Sequence, residues 1–144
     1  MNILFLCTGN TCRSPMAEAL FRSLAEQRGV KADCSSAGLA AAAEQPASAH
    51  AIEACREIGL DLSGHRSRSL SAADLAGTDL FAVMTPGHAR ALASVGIPEE
   101  KILILGSGIS DPYGGTLDDY RVCRDQLRTA IDALLASLQK EGRL

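Results

Sequence analysis

Aromatic side chains are scarce in this sequence of 144 residues, at 3%, and tryptophan is absent. Proteins that bind single-stranded nucleic acid stack bases on aromatic rings, so this composition disfavours that function. An excess of basic residues is also lacking, because 14 Lys and Arg face 17 Asp and Glu and give a net charge of −3. Binding to a phosphate backbone usually needs a positive field. We therefore expect no nucleic-acid partner, and a local site for any anion.

Long apolar runs are absent as well, since none approaches the roughly 20 residues that a membrane span needs. The opening segment Met1–Leu6 has no basic residue and too short an apolar stretch for a signal peptide. Without such a signal, an odd number of cysteines favours reduced thiols over a disulfide framework. The five are Cys7, Cys12, Cys34, Cys55 and Cys123. We expect one cytoplasmic domain over residues 1–144, monomeric and without a membrane partner.

Short apolar runs alternate with helical patterns along the chain. Strands are predicted at Asn2–Leu6, Lys31–Ser36, Leu80–Met84 and Lys101–Leu105. Helices are predicted at Pro15–Arg28, Ala47–Ile58, from Ser71 onward, from Thr85 and Pro86 to about Val95, and from about Thr116 to Lys140. This alternation predicts an α/β fold with a parallel sheet covered on both faces. The last strand has no polar alternation, which predicts that it too is covered on both faces.

The segment Cys7–Pro15 (Cys-Thr-Gly-Asn-Thr-Cys-Arg-Ser-Pro) lies between the first strand and the first helix. Ligands of open α/β sheets bind at the carboxyl ends of the strands, where this segment falls. Five residues between Cys7 and Arg13 let the backbone curl so that its N–H groups form an anion nest. Gly9 is expected to supply permissive dihedral angles for the curl, and Asn10 to accept the left-handed region. Residues 8–14 therefore form the predicted phosphate-binding loop: Thr8, Gly9, Asn10, Thr11, Cys12, Arg13 and Ser14.

Three side chains of this loop have predicted chemical roles. The planar fork of Arg13 suits two phosphate oxygens. Ser14 is expected to cap the helix that Pro15 begins, and its hydroxyl to donate to the Cys7 sulfur. Surrounded by N–H dipoles and a guanidinium, Cys7 would be held as a nucleophilic thiolate. The same donors would stabilise charge in a phosphoryl-transfer transition state.

A proton donor for the leaving group is the second requirement of such a site. The segment Asp111-Pro112-Tyr113-Gly114-Gly115 follows the fourth predicted strand and suits a carboxyl group held over the rim of the pocket. Read alone, this pattern most often forms only a turn. Its combination with the Cys7 loop makes Asp111 the candidate general acid.

Together the two segments resemble the phosphate loop and the acid loop of the low-molecular-weight protein phosphatases, a family related to the low-molecular-weight tyrosine phosphatases. The resemblance implies a single-domain three-layer sandwich with a four-stranded parallel sheet in the order 2-1-3-4. It implies that Cys7 forms a cysteinyl-phosphate, that Arg13 clamps the phosphate, and that Asp111 acts first as acid and then as base. Asn10 and Ser14 would support the loop. Phosphorylated proteins would be the substrates, and phosphate or other oxyanions the inhibitors.

The same resemblance implies no cofactor and no metal, and His50, His65 and His88 lack the spacing of metal ligands. Ser36 and His65 match supporting positions of the family. For both residues we favour the simpler interpretation that they are structural polar groups with satisfied hydrogen bonds.

Substrate choice depends on departures from the tyrosine-specific pattern. Thr11 stands where those enzymes usually have an aliphatic residue, Gly114 replaces a second aromatic after Tyr113, and residues 39–46 contain no aromatic. With Tyr113 as the only aromatic expected near the site, a phenyl ring would lose most of its apolar walls. Thr11 and the Asp-Pro-aromatic-Gly-Gly pattern resemble the protein-arginine-phosphatase subgroup. The predicted substrate is therefore phosphoarginine, with phosphotyrosine as the alternative.

Two further functions remain open at this point. Thiol-dependent arsenate reductases share this loop but need a resolving cysteine pair near Phe81–Ala93, where this sequence has none. A non-catalytic phosphate-binding module would need neither the Cys7 thiol nor Asp111.

Cys12 is a candidate redox partner of Cys7, because a curled loop could bring the two within disulfide distance. We expect a Cys7–Cys12 bridge to form on oxidation by peroxide and to be reversed by a thiol reductant. The alternative is that Cys12 is a small core-filling side chain.

Overall fold

The computed structural model describes all residues from 1 to 144. Its strands are β1 (Asn2–Cys7), β2 (Asp33–Gly38), β3 (Leu80–Val83) and β4 (Ile102–Ile104). Its α-helices are α1 (Arg13–Gln27), α2 (Ala49–Arg56), α3 (Ala72–Gly77), α4 (Pro86–Ser94) and α5 (Leu117–Lys140). A single 3₁₀ turn at Glu99–Lys101 leads into β4. None of the helices combines the length and the apolar character needed to span a bilayer.

The four strands form one parallel sheet in the order β2-β1-β3-β4, which confirms the predicted fold class. The larger core lies on the face where the side chains of β1 meet α1, α2 and α5, and includes Phe5, Phe21 and Ile131. A smaller core on the opposite face packs Leu4 and Phe81 of the sheet against Leu92 in the last turn of α4. The central strands are therefore covered on both faces, as their continuous apolar sequence predicts.

The prediction for the fourth strand is wrong in one respect. β4 lies at the edge of the sheet, pairs only with β3, and leaves Leu103 partly exposed. An edge strand can carry an apolar sequence without complete burial, because only one of its sides is paired.

Four of the five α-helices begin at a side-chain cap. Ser48, Ser71, Thr85 and Thr116 each accept a hydrogen bond from a backbone N–H of the following first turn. The caps predicted at Ser71 and at Thr85, with proline at the first position of α4, are thus confirmed. The exception is α1, which begins at Arg13 rather than Pro15, with Cys12 at the cap position and no side-chain cap. The predicted capping role of Ser14 is therefore wrong, because Ser14 already lies in the first turn.

The carboxyl ends of the parallel strands meet at one edge of the sheet, where the loop after β1 crosses the end of β2. Gly38, the last residue of β2, lies so close to this loop that a Cβ atom would stand 2.6 Å from the carbonyl oxygen of Thr8. The loop is further tied down by the backbone N–H groups of Leu39 and Ala40, which donate to the carbonyls of Cys7 and Thr8. The segments on either side of this loop therefore fix its path.

Candidate active site

A pocket of about 220 Å³ opens at this edge of the sheet. It is lined by Cys7, Thr8, Gly9, Thr11, Cys12, Arg13, Asp111 and Tyr113. All eight residues belong to the two segments singled out in the sequence. Asn10 and Ser14 complete the predicted loop but lie beneath it, fully buried, and do not line the pocket.

Cys7 is the last residue of β1 and is only 3% exposed. Its sulfur lies 2.9 Å from the Ser14 hydroxyl oxygen and accepts the Asn10 backbone N–H at 3.3 Å. The side-chain amide of Asn10 donates to the same Ser14 oxygen at 2.8 Å. Because that oxygen accepts a hydrogen bond from Asn10, the Ser14 hydroxyl proton is free to point at the sulfur. Two hydrogen-bond donors thus converge on the Cys7 sulfur.

Asn10 adopts the left-handed conformation, with φ of 55°, as predicted. Its side-chain amide also donates to the Ser36 hydroxyl at 3.0 Å, and its side-chain oxygen accepts the backbone N–H of Arg68 at 3.0 Å. The His65 ring lies 2.7 Å from the backbone oxygen of Asn10. Asn10 is therefore the residue through which β2 and the segment around residue 68 hold the loop.

Two details of this network differ from the sequence analysis or were missed by it, and a third agrees with it. Gly9 does not have a positive φ, so the left-handed residue of the loop is Asn10 alone, and the role expected for Gly9 is wrong. Arg68 contributes a backbone N–H, which no side-chain pattern could have revealed. Ser36 and His65 stand outside the pocket as hydrogen-bonded structural groups, and Ser36 also donates to Glu18 at 2.7 Å.

The Arg13 side chain is 4% exposed, although it carries a charge that water would solvate well. One guanidinium nitrogen donates to the carbonyl oxygen of Ile109 at 2.9 Å, and another lies 3.6 Å from a carboxylate oxygen of Asp111. The Ile109 backbone is itself held by the Met84 carbonyl, at 2.7 Å, at the end of β3. The orientation of the guanidinium is thus fixed before any ligand arrives, which suits the binding of a planar pair of oxygens.

Asp111 lies at the rim of the pocket with its side chain 50% exposed. One of its oxygens accepts the backbone N–H of Tyr113 at 3.1 Å, so the predicted turn does form and orients the carboxylate. Tyr113 is 77% exposed and contributes one wall of the mouth. The pocket therefore has a nucleophile at its base, and a carboxylate and one aromatic ring at its mouth.

Tyr113 is not the only aromatic near the site, so that expectation is wrong. Tyr120, from the first turn of α5, places its hydroxyl 3.3 Å from the Cys12 sulfur and packs at a tilt against the His50 ring, with centroids 5.4 Å apart. Burial, followed by the hydrogen bond with Cys12, raises the pKa of Tyr120 to about 12. Tyr120 is fully buried and outside the pocket lining, so it supports the loop from below and offers no wall to a substrate.

His88, which the sequence analysis considered only as a metal ligand, also touches the loop. Its Nε2 atom lies 3.0 Å from the Thr8 hydroxyl oxygen. Burial, and then the positive charge of Arg13, lower the pKa of His88, while the Asp111 carboxylate acts in the opposite direction. No group of three or more His, Cys, Asp and Glu side chains is placed to hold a metal ion.

The five cysteines are all free thiols. Burial raises the pKa of Cys34 to about 11, and those of Cys55 and Cys123 to about 12, so these three are poor nucleophiles. None of the five lies in the segment from 81 to 93, where an arsenate reductase of this type would need its resolving pair. This leaves Cys7 and Cys12, both lining the pocket, as the thiols available for chemistry there.

Comparison with known proteins gives consistent results over the full length of the chain. The family model of the low molecular weight phosphotyrosine protein phosphatases matches residues 2–144. The protein-arginine-phosphatase of Bacillus subtilis is 39% identical, covering 99% of this chain and 100% of that protein. A low molecular weight protein-tyrosine-phosphatase of Streptomyces coelicolor is 34% identical, covering 98% of this chain and 96% of its own length.

Solved structures agree with these sequence matches. A mutant of YwlE arginine phosphatase with a phosphorylated active-site serine superimposes with a TM-score of 0.94 at 38% identity, covering 99% of both chains. The family model, the two sequence relatives and this structure all match nearly the whole chain. The chain therefore belongs to the low molecular weight phosphotyrosine protein phosphatase family.

Proposed function

We propose that this protein is a phosphatase that hydrolyses phosphoarginine side chains of proteins through a cysteinyl-phosphate on Cys7. The family membership makes it a cysteine-dependent phosphatase; the choice of phosphoarginine is the specific proposal. The observation that carries it is the lining of the pocket, where Thr11 and Asp111 present polar oxygens and Tyr113 is the only aromatic wall. The match to the Bacillus subtilis protein-arginine-phosphatase supports the same substrate.

In the first step, the Cys7 thiolate attacks the phosphorus atom and the bond from phosphorus to the leaving nitrogen breaks. Asp111 donates its proton to that nitrogen, so the leaving guanidine departs as the guanidinium group of arginine. The Arg13 guanidinium and the backbone N–H groups of the loop hold the equatorial oxygens, on which charge is spread in the transition state.

In the second step, water attacks the phosphorus atom of the cysteinyl-phosphate and the bond between sulfur and phosphorus breaks. Asp111, now ionised, removes a proton from the attacking water, and phosphate leaves. Cys7 departs as a thiolate, which the Ser14 hydroxyl and the Asn10 N–H stabilise at 2.9 and 3.3 Å. One carboxyl group serves as acid and then as base, so the cycle restores the enzyme.

A guanidine nitrogen is a much more basic leaving group than a phenolate, so protonation by Asp111 matters more for phosphoarginine. A guanidinium also carries several N–H donors that need acceptors, and the Thr11 and Asp111 oxygens can supply them. A phenyl ring would need apolar walls on both faces, but Tyr113 covers one side only. These requirements favour phosphoarginine over phosphotyrosine.

The decisive experiment compares kcat/KM on phosphoarginine and phosphotyrosine peptides of the same flanking sequence. We expect the wild type to prefer phosphoarginine, and Thr11→Ile to shift the preference toward phosphotyrosine, because it replaces a polar wall by an apolar one. Cys7→Ser is the control, and it should abolish turnover of both peptides. A wild type that prefers phosphotyrosine would make the protein a tyrosine phosphatase, and turnover unaffected by Cys7→Ser would refute the cysteinyl-phosphate.

The role of Asp111 has a separate test. Asp111→Asn removes the proton donor but keeps the size of the side chain, so it should lower kcat on phosphoarginine by about 100- to 10,000-fold. The loss on p-nitrophenyl phosphate should be smaller, because its leaving group is weakly basic and needs little protonation. Equal losses on the two substrates would mean that Asp111 acts mainly through the position of Arg13, 3.6 Å away.

The same proposal covers the cellular compartment, the oligomeric state and the inhibitors of the enzyme. A nucleophilic thiolate and four further free thiols suit a reducing compartment, so we propose that the protein acts in the cytoplasm. It would act as a monomer on phosphorylated proteins. Inorganic phosphate and similar oxyanions would inhibit it competitively, because they match the donors of the loop.

A further inference from the structure

Two hydroxyl groups line the pocket beside the Asp111 carboxylate, those of Thr8 and Thr11. The Thr11 hydroxyl has one weak partner, the Cys12 sulfur at 3.8 Å. The Thr8 hydroxyl oxygen, in contrast, lies 3.0 Å from Nε2 of His88. One of the two hydroxyls is thus held by a residue that the mechanism above does not use.

The tautomer and the charge of the His88 ring follow from its surroundings. The residue is 6% exposed, and its Nδ1 atom is buried without a hydrogen-bond partner. A neutral imidazole has one N–H and one bare nitrogen, and an unpaired buried N–H is the rarer and costlier defect. The bare nitrogen is therefore Nδ1, and the Nε2–H group donates to Thr8. The ring is kept neutral by burial and by Arg13, against the opposing charge of Asp111.

This tautomer determines which further hydrogen bonds the Thr8 hydroxyl can make. Its oxygen accepts one hydrogen bond from His88, which leaves a second lone pair and the hydroxyl proton for other partners. Thr8 is exposed at the mouth of the pocket, whereas Cys7 is buried at its base. The free side of the hydroxyl therefore faces the part of a substrate that extends outward from the phosphoryl group.

We propose that Thr8, positioned by His88, is a second selectivity residue that accepts an N–H hydrogen bond from the guanidinium group of the substrate. The inference rests on the proposed phosphoarginine function and extends it to a second threonine of the phosphate loop. An acceptor that is held in place for a substrate N–H group favours that substrate over an analogue without the group, because only the first makes the hydrogen bond. His88 is a positioning residue, since it acts on the substrate only through Thr8.

The test uses a selectivity ratio: kcat/KM on a phosphoarginine peptide divided by kcat/KM on the matched phosphotyrosine peptide. Thr8→Val keeps the shape and removes the acceptor, and it should lower the ratio about tenfold, which corresponds to about 1.4 kcal/mol. Thr8→Ser keeps the hydroxyl and should stay within about twofold of the wild type. The matched control is Thr129→Val on the exposed side of α5, which should leave the ratio unchanged.

A second set of variants tests the positioning role. His88→Phe removes the Nε2–H donor and also the unpartnered Nδ1 atom, so we expect it to fold, with a ratio lowered about three- to fivefold. His88→Gln can place an amide N–H near the former Nε2 and should restore most of the ratio. In the double variant Thr8→Val/His88→Phe the ratio should equal that of Thr8→Val alone, because the donor no longer has an acceptor to hold.

Different results would refute the proposed phosphoarginine function and the proposed role of Thr8. A wild type that prefers phosphotyrosine overturns the proposed function and this inference with it. A wild type that prefers phosphoarginine, combined with an unchanged ratio in Thr8→Val, overturns the inference alone. A fully additive loss in the double variant would show that His88 does not act through Thr8. Thr8→Ala provides the same comparison with a smaller side chain, should Thr8→Val not fold.

Discussion

Replacing Asn10 should damage stability and catalysis together, because this one side chain ties the phosphate loop to its supports. It makes three side-chain hydrogen bonds, to the Ser14 hydroxyl at 2.8 Å, the Ser36 hydroxyl at 3.0 Å and the Arg68 backbone N–H at 3.0 Å. Each is worth about 1 kcal/mol, and a left-handed residue other than Asn or Gly costs about 1 kcal/mol more. For Asn10→Ala we therefore expect a loss of about 4 kcal/mol in the free energy of unfolding.

Asn10→Gly separates the loss of the hydrogen bonds from the cost of the left-handed conformation. Glycine loses the same hydrogen bonds but accepts a φ of 55° without strain, so it should be more stable than the alanine variant by about 1 kcal/mol. Domains of this kind have about 5–15 kcal/mol of stability, so both variants should remain folded at 25 °C. Both should lose about 100-fold in kcat/KM, because the Ser14 proton is no longer directed at the Cys7 sulfur.

The assays are urea unfolding followed by circular dichroism and turnover of p-nitrophenyl phosphate. The matched control is Asn2→Ala at the amino end of β1, where the side chain makes one exposed bond to the Gly77 carbonyl at 3.2 Å. It should cost about 1 kcal/mol or less and leave turnover unchanged. If Asn10→Ala costs less than this control, or if Asn10→Gly is no more stable than Asn10→Ala, the account of the network is refuted.

Three further predictions test other parts of the molecule. Gly38→Ala puts a Cβ atom 2.6 Å from the carbonyl of the residue after Cys7, so it should cost about 1–3 kcal/mol in urea unfolding and lower kcat; unchanged turnover would contradict the close approach. Peroxide should inactivate the enzyme and a thiol reductant restore it in the wild type and in the control Cys34→Ser. Cys12→Ser should not recover, because Cys7 then oxidises beyond the reversible stage; full recovery would exclude the bridge. The Arg121 side chain, by hydrogen bonding, lowers the pKa of Glu57 from 4.5 to about 2. Glu57→Gln should therefore lower the melting temperature at pH 7 by an amount that vanishes between pH 4.5 and 2, whereas a constant difference would assign the effect to packing.

The fold was predictable from the sequence because strands and helices alternate and because the caps at Ser71 and Thr85 follow local rules that the chain obeys. The pocket lining was predictable because it comes from two short segments, Cys7–Arg13 and Asp111–Tyr113. The groups that support the loop were not predictable, because residues distant in the sequence meet there only in the folded chain. His88 is 80 positions from Thr8 in the chain, and the Arg68 contribution is a backbone group.

The start of α1 helps to explain how a protein with a net charge of −3 can hold a phosphoryl group, because Ser14 does not cap it as predicted. A side-chain cap on α1 would occupy the first N–H groups of the helix, as the caps of the other four α-helices do. No side chain caps α1, so these donors and the positive end of the helix dipole stay available at the pocket. The Ser14 hydroxyl is used instead on the Cys7 sulfur.

The donors that remain free are concentrated within one loop and one helical turn, together with the buried Arg13 guanidinium. Acidic groups elsewhere on the surface have little effect there, because salt screens charges beyond about 8 Å at physiological ionic strength. Asp111 is the one carboxylate in the pocket, and it lies at the rim, where a leaving group would be protonated. An overall negative charge is thus compatible with phosphate binding, because the site depends on the local orientation of its donors.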